Sequence, residues 1–308
     1  MNLIHVDSTL SEKNRRNALY HGELFVVSPN PIAQEFCEFA SDLIRNEFGA
    51  ATPETAQNEM TVNEFIAILK VLKPQFIHHA QSKIHVQNIL RQSGCDLEKT
   101  YFDVPRLRTS TSDNYLTSGI AYAFHPHRDT WYSAPMSQIN WWLPIYEIEM
   151  GNCLALHPDY WNKPIINTSE KFNYKQWIQG NRKDASDHVK EDSREQPMAL
   201  TKIDMDCQLR LVVNPGGLIL FSGAHLHSSV PNYSGKTRFS IDFRTIHIDD
   251  VINGSGANNV DSNCQDLTLS DFIRASDFEH LPADLITSYG PSKPTASGIY
   301  SPRLMPWA

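Results

Sequence analysis

Short runs of apolar, β-branched and aromatic residues follow one another between residues 98 and 250, separated by turn residues. Runs of this kind predict β-strands, and no helical pattern is interleaved with them. Strands without helices between them pair as antiparallel neighbours, so the pattern predicts a sandwich or jelly roll rather than a doubly wound sheet. The predicted strands are residues 100–104, 119–124, 138–146, 152–157, 208–213, 217–221 and 237–247.

The first third of the chain is predicted to be mainly helical, because apolar residues recur there at helical spacing. One helix is predicted over residues 32–49. A second opens with a capping box at residue 61 and breaks at Pro74, and a third covers about 75–93. Their apolar stripes suit packing on one face of a sheet, which predicts a mostly β fold with flanking helices.

We expect one catalytic domain over residues 1–308, with residues 1–97 as helical support and 98–250 as the core. Within the core, the charged stretch 158–206 predicts a lid-like or binding insertion, because long connections in compact domains tend to carry function. The C-terminal extension, 251–308, is weakly helical in pattern around residues 269–278.

The composition is that of an ordinary globular protein, with 41% hydrophobic and 20% charged residues among 308. A formal net charge of −8 argues against a nucleic-acid partner, which would need a basic face. The N-terminus shows no signal-peptide pattern, and the apolar runs are too short for a membrane span. Five scattered cysteines without a CxxC pair indicate reduced thiols, so we expect a cytoplasmic protein.

A His-x-Asp pair, His127 and Asp129, follows the predicted strand at residues 119–124. Side chains two residues apart on a strand share a face, so the imidazole and the carboxylate can bind one metal ion together. His227, 100 residues further along the chain, follows another predicted strand and can supply a third ligand. Two histidines and one carboxylate leave positions open on an octahedral ion, as in non-haem Fe(II) oxygenases. A structural zinc site would be closed by four protein ligands.

Arg238 lies 11 residues after His227, and Ser240 follows on the same face of the last predicted strand. A guanidinium and a hydroxyl together suit a carboxylate, because the contact is bidentate and charge-assisted. The segment therefore predicts a receptor for an organic acid beside the metal site.

The ordered set of HRD at 127–129, GNCLALHPDYW at 151–161, HSSVPN at 227–232 and RFS at 238–240 resembles the Fe(II)/2-oxoglutarate-dependent oxygenases, specifically the phytanoyl-CoA dioxygenase-like group. The resemblance covers roughly residues 98–247. It implies a double-stranded β-helix core with the metal at its mouth. It also implies that 2-oxoglutarate chelates iron and that its distal carboxylate meets Arg238, with Ser240 assisting. Because related halogenases have Gly or Ala in place of the ligand carboxylate, Asp129 favours hydroxylation over halogenation.

Two other histidines could be considered as ligands. His125 precedes His127 by two residues but has no carboxylate two residues after it. His225 precedes His227 by two residues, and using it would lengthen the spacing to Arg238 from 11 to 13. Supporting rather than ligating roles are therefore expected for His125 and His225.

Several polar and aromatic residues near these segments are candidates for ligand contacts. Gln138 and Asn140 lie on a predicted inner strand and are assigned to co-substrate binding. The candidates for substrate contact are Arg106, Arg108, Trp131 and Arg244, although a solvated basic edge and an ion pair at a strand end explain the arginines equally well. Arg128 lies between two ligands and is expected to point away from the metal into an ion pair.

The leading hypothesis is therefore an Fe(II)- and 2-oxoglutarate-dependent dioxygenase that hydroxylates a small polar metabolite with dioxygen and releases succinate and CO2. One alternative keeps the metal but gives Arg238 to the substrate, as in a cupin-type isomerase or an oxygenase that does not use 2-oxoglutarate. The other alternative is a non-catalytic binding protein on the same fold. Succinate release separates the first two hypotheses, and iron binding separates both from the third.

Overall fold

A computed structural model of the chain describes residues 3–117, 125–179, 195–264 and 266–288. The predicted strand at 119–124 lies outside the described residues, and so do parts of the predicted insertion and of the C-terminal extension.

The described chain contains a helical N-terminal part followed by a region dominated by short strands. The strands are β1 (Ile4–Val6), β2 (Leu24–Val27), β3 (Thr100–Phe102), β4 (Arg106–Ser110), β5 (Ile139–Pro144), β6 (Leu154–Leu156), β7 (Leu209–Leu211), β8 (Leu218–Ser222), β9 (His227–Ser229), β10 (Arg238–His247) and β11 (Ile273–Arg274). The helices are α1 (Glu12–Tyr20), α2 (Pro31–Phe48), α3 (Val62–His78), α4 (Ala80–Gln92), α5 (Tyr174–Gln179), α6 (Ile248–Asn253) and α7 (Ala283–Ser288).

The larger sheet has the strand order β1-β2-β8-β5-β10-β3-β11, and β4 also pairs with β10. Only the β1–β2 pair is parallel among these described strands; the other pairs are antiparallel. The long strand β10 has β5 on one side and both β3 and β4 on the other. It therefore crosses the middle of the sheet and is buried along most of its length.

Alternation along β10 gives the larger sheet two different faces. Phe239, Ile241 and Phe243 are completely buried in one cluster with apolar residues of α2, α3 and α4. The helices thus cover this face, as their apolar stripes predict. The even-numbered side chains point to the other face, where three of them line a cavity: Arg238, Asp242 and Arg244.

The smaller sheet, β7-β6-β9, packs against the cavity face of the larger one. The two sheets meet in a separate apolar cluster, which joins Trp142 and Phe221 of the larger sheet to Leu154 and Leu156 of the smaller one. Two facing, mainly antiparallel sheets with helices on one outer face confirm the predicted fold class, a mostly β jelly roll with flanking helices.

Pro74 does not break the second helix, so that prediction is wrong. Helix α3 continues through the proline to His78. Pro74 is exposed, while Phe76 beyond it is completely buried. Burying a phenylalanine side chain contributes up to about 3 kcal/mol, comparable to the roughly 3 kcal/mol cost of an interior proline. The third helix accordingly begins only at Ala80.

The helix predicted around residues 269–278 is also wrong. This segment forms a short 3₁₀ turn, Thr268–Asp271, and then β11, which pairs with β3 at the edge of the larger sheet. Five strands were not predicted: β1, β2, β4, β9 and β11. All five have five residues or fewer, and their pairing partners lie far away in sequence. No helix in the described ranges is long and apolar enough to cross a membrane, and the five cysteines are unpaired.

Candidate metal centre

His127, Asp129 and His227 come together on the inner side of the two sheets. One ligand atom from each lies within 4.8 Å of the others. Asp129 Oδ1 is 3.5 Å from His127 Nε2 and 3.7 Å from His227 Nε2. All three residues are buried. At these distances the three atoms could hold one metal ion.

Backbone pairing sets the positions of the two histidines. The N–H of His127 donates to the carbonyl of His227 at 3.0 Å, and the N–H of His227 donates back at 2.9 Å. This antiparallel bridge extends the smaller sheet beyond β9. Asp129 begins a 3₁₀ turn, Asp129–Tyr132, and its N–H donates to the carbonyl of Gly223 at 2.9 Å. The carboxylate therefore reaches the site from a turn rather than from the regular strand that the His-x-Asp spacing suggested.

Hydrogen bonds to the backbone orient both imidazole rings. His127 Nδ1 lies 2.8 Å from the carbonyl oxygen of His125, and His227 Nδ1 lies 2.9 Å from that of His225. A carbonyl oxygen can only accept, so each Nδ1 carries a proton, and in a neutral ring Nε2 then presents a lone pair. His125 and His225 thus support the site through their carbonyl groups, while the His225 ring packs against Trp161.

The electrostatics of the site suit a cation. Burial, together with the neighbouring His127, lowers the pKa of His227 to about 4, so the ring is neutral at pH 7. Burial alone would raise the pKa of Asp129, but His127, His227 and the amide of Asn140 outweigh it and hold that pKa well below its usual range. A neutral imidazole and an ionised carboxylate are the forms that bind metal.

The three residues open into a cavity of about 350 Å³ between the two sheets. A volume of this order can hold a small organic ligand. Arg238 lines the same cavity, on the first position of β10.

Arg238 is buried but has no ion-pair partner among the described residues. Its Nη1 donates to the carbonyls of Asn152 at 3.0 Å and Cys153 at 3.2 Å, and its Nη2 donates to Ser229 Oγ at 3.4 Å. Its Nε has no hydrogen-bond partner in the described chain. Burial lowers the pKa of Arg238 to about 10. An arginine at this pKa is still charged at pH 7, so the site contains a buried cation without an anionic partner among the described residues.

Ser240 lies on the same face of β10 as Arg238, two residues further on. It is completely buried, and its Oγ has no hydrogen-bond partner in the described chain. It is not, however, one of the residues that line the cavity. Its role beside Arg238 stays a prediction.

Gln138 and Asn140, predicted to bind co-substrate, both line the cavity, and both donate to a metal-site residue. Gln138 Nε2 lies 2.9 Å and Asn140 Nδ2 lies 2.7 Å from Asp129 Oδ2. The structure therefore places these amides on the outer oxygen of the carboxylate, and contact with a co-substrate stays a prediction.

The three arginines predicted for substrate contact all line the cavity, but each is paired with an acid. Arg108 binds both carboxylate oxygens of Asp242, at 2.5 and 3.1 Å. Arg106 and Arg244 meet at Asp103, at 2.5 and 2.8 Å. Arg244 also reaches Asp242 at 3.3 Å. The wall is thus an alternating network of charges, and not a solvated basic edge.

Trp131 was predicted to contact substrate, and this prediction is wrong. It is completely buried in a cluster with Tyr160 and Leu226, and its Nε1 donates to Asp261 at 2.7 Å. Successive side chains of a 3₁₀ turn point about 120° apart. The next residue, Tyr132, therefore reaches the cavity and lies edge-on to His127, with ring centroids 5.4 Å apart.

Arg128 points away from the metal site, as predicted. Its Nε donates to Asp261 at 3.1 Å, and its two Nη atoms donate to the backbone carbonyls of Ala224, Tyr160 and Lys163. Asp261 thus joins Arg128 and Trp131, but no local pattern in the sequence connects it to residues about 130 positions away.

Gly223 was also missed. A Cβ atom at this position would lie 3.1 Å from Gln138 Nε2 and 3.5 Å from Asp129 Cβ. The glycine lets the end of β8 approach the turn that carries Asp129, and the only signal in the sequence was its place directly after a predicted strand.

The facing sheets and the His–Asp–His group define a jelly-roll protein with a candidate metal centre. No family model matches the chain, and no curated protein matches it in sequence.

Similar solved structures exist. One is EvdO2 from Micromonospora carbonacea var. aurantiaca complexed with 2-oxoglutarate, at 12% identity over 80% of this chain and 94% of that chain, with a TM-score of 0.44. Another is the epimerase SnoN in complex with Fe3+, alpha ketoglutarate and nogalamycin RO, at 9% identity over 77% and 85%, with a TM-score of 0.40. A third is AviO1 from Streptomyces viridochromogenes Tue57, at 11% identity over 78% and 96%, with a TM-score of 0.38.

Proposed function

We propose that the protein is an Fe(II)- and 2-oxoglutarate-dependent dioxygenase of the phytanoyl-CoA dioxygenase-like family. It hydroxylates a C–H bond of a small polar metabolite and releases succinate and CO2. One observation carries this proposal: the buried Arg238, without an acid partner in the described chain, lines the same cavity as the His–Asp–His group. A buried cation beside a metal site calls for an anionic ligand that also reaches the metal.

The donor set fits ferrous iron. His127 and His227 present Nε2 lone pairs, and Asp129 presents one carboxylate oxygen. Two imidazoles and one carboxylate suit iron with open positions, whereas a closed zinc site would need a fourth protein ligand. When bound, iron and 2-oxoglutarate together supply the activation of dioxygen and the oxidation of the substrate.

The residues of the chain bind and orient the ligands, and they exclude water. Arg238 would take the distal carboxylate of 2-oxoglutarate, because its Nε is unpartnered in the described chain and its other nitrogens make only contacts with neutral groups. Ser240 Oγ, also buried and unpartnered there, would assist it. The burial of the three ligands keeps bulk water from the reacting atoms.

The cavity wall supports a polar substrate. Arg106, Arg108 and Arg244 alternate there with Asp103 and Asp242, so donors and acceptors lie side by side. Covering such a wall with a long acyl chain would cost free energy, because each charged group would lose water without gaining a replacement partner. A ligand with several hydrogen-bonding groups avoids that cost.

Anaerobic binding tests the proposal. Fe(II) and 2-oxoglutarate added to the metal-free protein should give the visible charge-transfer band of a 2-oxo acid chelated to Fe(II). Asp129→Ala should weaken Fe(II) binding, and with it the intensity of the band at a fixed Fe(II) concentration, because one of the three ligands is lost. Asp249→Ala is the matched control: this aspartate pairs with Lys99 at the surface, and the band should be retained.

Admission of air then separates the alternatives. The proposal expects 2-oxoglutarate to be consumed and succinate to appear in equal amounts. Iron binding without the band, and without succinate, would instead favour an enzyme that gives Arg238 to its substrate. A well-folded protein that binds no iron would leave only the non-catalytic hypothesis.

A further inference from the structure

The two oxygens of Asp129 have different surroundings. Oδ1 faces His127 and His227, at 3.5 and 3.7 Å from their Nε2 atoms. Oδ2 accepts hydrogen bonds from Gln138 at 2.9 Å and Asn140 at 2.7 Å, and Arg244 Nε lies 3.9 Å from it. Only one oxygen of the carboxylate is therefore directed at the point where a metal ion would bind.

The two amides are themselves fixed. Gln138 lies two residues before Asn140 and directly precedes β5, so in extended backbone their side chains project from one face. Gln138 Nε2 also donates to Asn140 Oδ1 at 2.9 Å, which turns Nδ2 of Asn140 towards Asp129. Both residues are buried, so water does not compete for these hydrogen bonds.

Gly223 allows the three side chains to approach. Its carbonyl accepts from the N–H of Asp129 at 2.9 Å, and its own N–H donates to the carbonyl of Gln138 at 2.9 Å. A Cβ here would lie 3.1 Å from Gln138 Nε2 and 3.3 Å from Gln138 Cβ. A side chain at residue 223 would therefore push the amide away from the carboxylate.

We infer that Gln138 and Asn140 are positioning residues that hold Asp129 as a ligand through one oxygen, with Gly223 providing the space. This inference rests on the proposed function. An octahedral ion with three single-atom protein ligands has three positions left, enough for a chelating 2-oxo acid and dioxygen. A carboxylate that rotated to bind through both oxygens would remove one of these positions. The amides prevent that rotation because it would break both hydrogen bonds and leave buried donors unpaired.

The test measures metal affinity directly, using Co(II) alone and metal-free protein. Gln138→Leu and Asn140→Leu should each raise the dissociation constant for Co(II) by about 10- to 100-fold, the usual effect of losing a hydrogen bond to a metal ligand. Gln57→Leu is the matched control, because Gln57 is an equally buried amide whose partners are Ser112 and Thr237, outside the cavity. It should lose stability while binding Co(II) within about twofold of the wild type.

If either leucine variant fails to fold, Gly223→Ala and Gln138→Asn replace it, and weaker Co(II) binding is expected from both. Unchanged Co(II) binding in the folded variants overturns the inference. So would unchanged Co(II) affinity combined with a weakened affinity for 2-oxoglutarate at saturating Co(II), since that result assigns the amides to the co-substrate. A wild-type protein that binds Co(II) but not 2-oxoglutarate would overturn the proposed function, while the effect of the amides on Co(II) affinity would still decide this inference.

Discussion

Replacing Arg238 by methionine should have opposite effects on ligand binding and on folding. The methionine keeps much of the side-chain volume but removes the charge. Burial lowers the pKa of Arg238 from 12.5 to about 10, so at pH 7 the charged form costs the folded state about 3 kcal/mol relative to water. Loss of the hydrogen bonds to the Asn152 and Cys153 carbonyls costs about 1 kcal/mol each. The unfolding free energy of the metal-free variant should therefore stay equal to the wild-type value or rise by about 1–2 kcal/mol.

Binding of 2-oxoglutarate should suffer at the same time. Hydrogen bonds between charged groups contribute about 1.5–3 kcal/mol, so Arg238→Met should raise the dissociation constant of 2-oxoglutarate by roughly 10- to 150-fold. Affinity for Co(II) without 2-oxoglutarate should stay within about twofold, because no metal-site residue contacts Arg238 in the described chain. Urea unfolding gives the stability, and calorimetric titration gives both dissociation constants.

Arg128 is the matched control, because it is also a buried arginine near the site. It is paired with Asp261 and bonds three backbone carbonyls. Arg128→Met leaves that acid buried without its partner and should lower the unfolding free energy by about 3–5 kcal/mol. If Arg238→Met destabilised the protein as much as Arg128→Met, Arg238 would be a structural residue. If it bound 2-oxoglutarate as the wild type does, the anchor assignment would be refuted.

Three further predictions concern the surroundings of the site. Trp131→Phe should lower the unfolding free energy by about 2 kcal/mol, through a small cavity and a lost hydrogen bond to Asp261, while calorimetry shows unchanged Co(II) and 2-oxoglutarate binding. Asp242→Asn should cost about 2 kcal/mol in urea unfolding, because it weakens two arginine contacts, and a loss of Co(II) affinity would contradict its placement on the substrate wall. Burial lowers the pKa of His225 from 6.5 to about 3 in the folded protein. As the pH falls from 6.5 towards 3, the unfolded chain therefore protonates this ring before the folded protein does, and the unfolding free energy falls. Between pH 7 and 4 the metal-free wild type should lose about 3 kcal/mol more unfolding free energy than His225→Gln, and parallel pH profiles would refute this.

The side chains of the candidate site were predictable where local spacing decides which face they share. His127 and Asp129 converge although Asp129 lies on a turn. His127 forms the backbone bridge to His227, and Arg128 between the two ligands is still extended, so the spacing of a strand is kept up to Asp129. Arg238 was predictable in the same way, since alternation along a long buried strand determines that it faces the cavity.

Contacts between residues far apart in the sequence were not predictable. Trp131 has the composition of a pocket residue, yet Asp261 provides a buried acceptor about 130 positions away and draws the indole into the core. The edge strands β1 and β11 have only three and two residues, so pairing with β2 and β3 defines them rather than any pattern of their own. Pro74 shows the reverse case, in which a strong local signal is overridden by the burial of Phe76.

Buried charges at the candidate metal centre are compensated differently from buried charges elsewhere in the protein. Arg128 and the arginines of the cavity wall each meet a carboxylate, so their burial is compensated within the protein. Arg238 has no such partner in the described chain, and burial keeps His227 neutral beside an ionised Asp129. Under the proposed function, ligands outside the chain would relieve both departures, an anion for the guanidinium and a cation for the His–Asp–His group. A single molecule that chelates the metal and presents a carboxylate to Arg238 satisfies both, and a 2-oxo dicarboxylic acid has that chemistry.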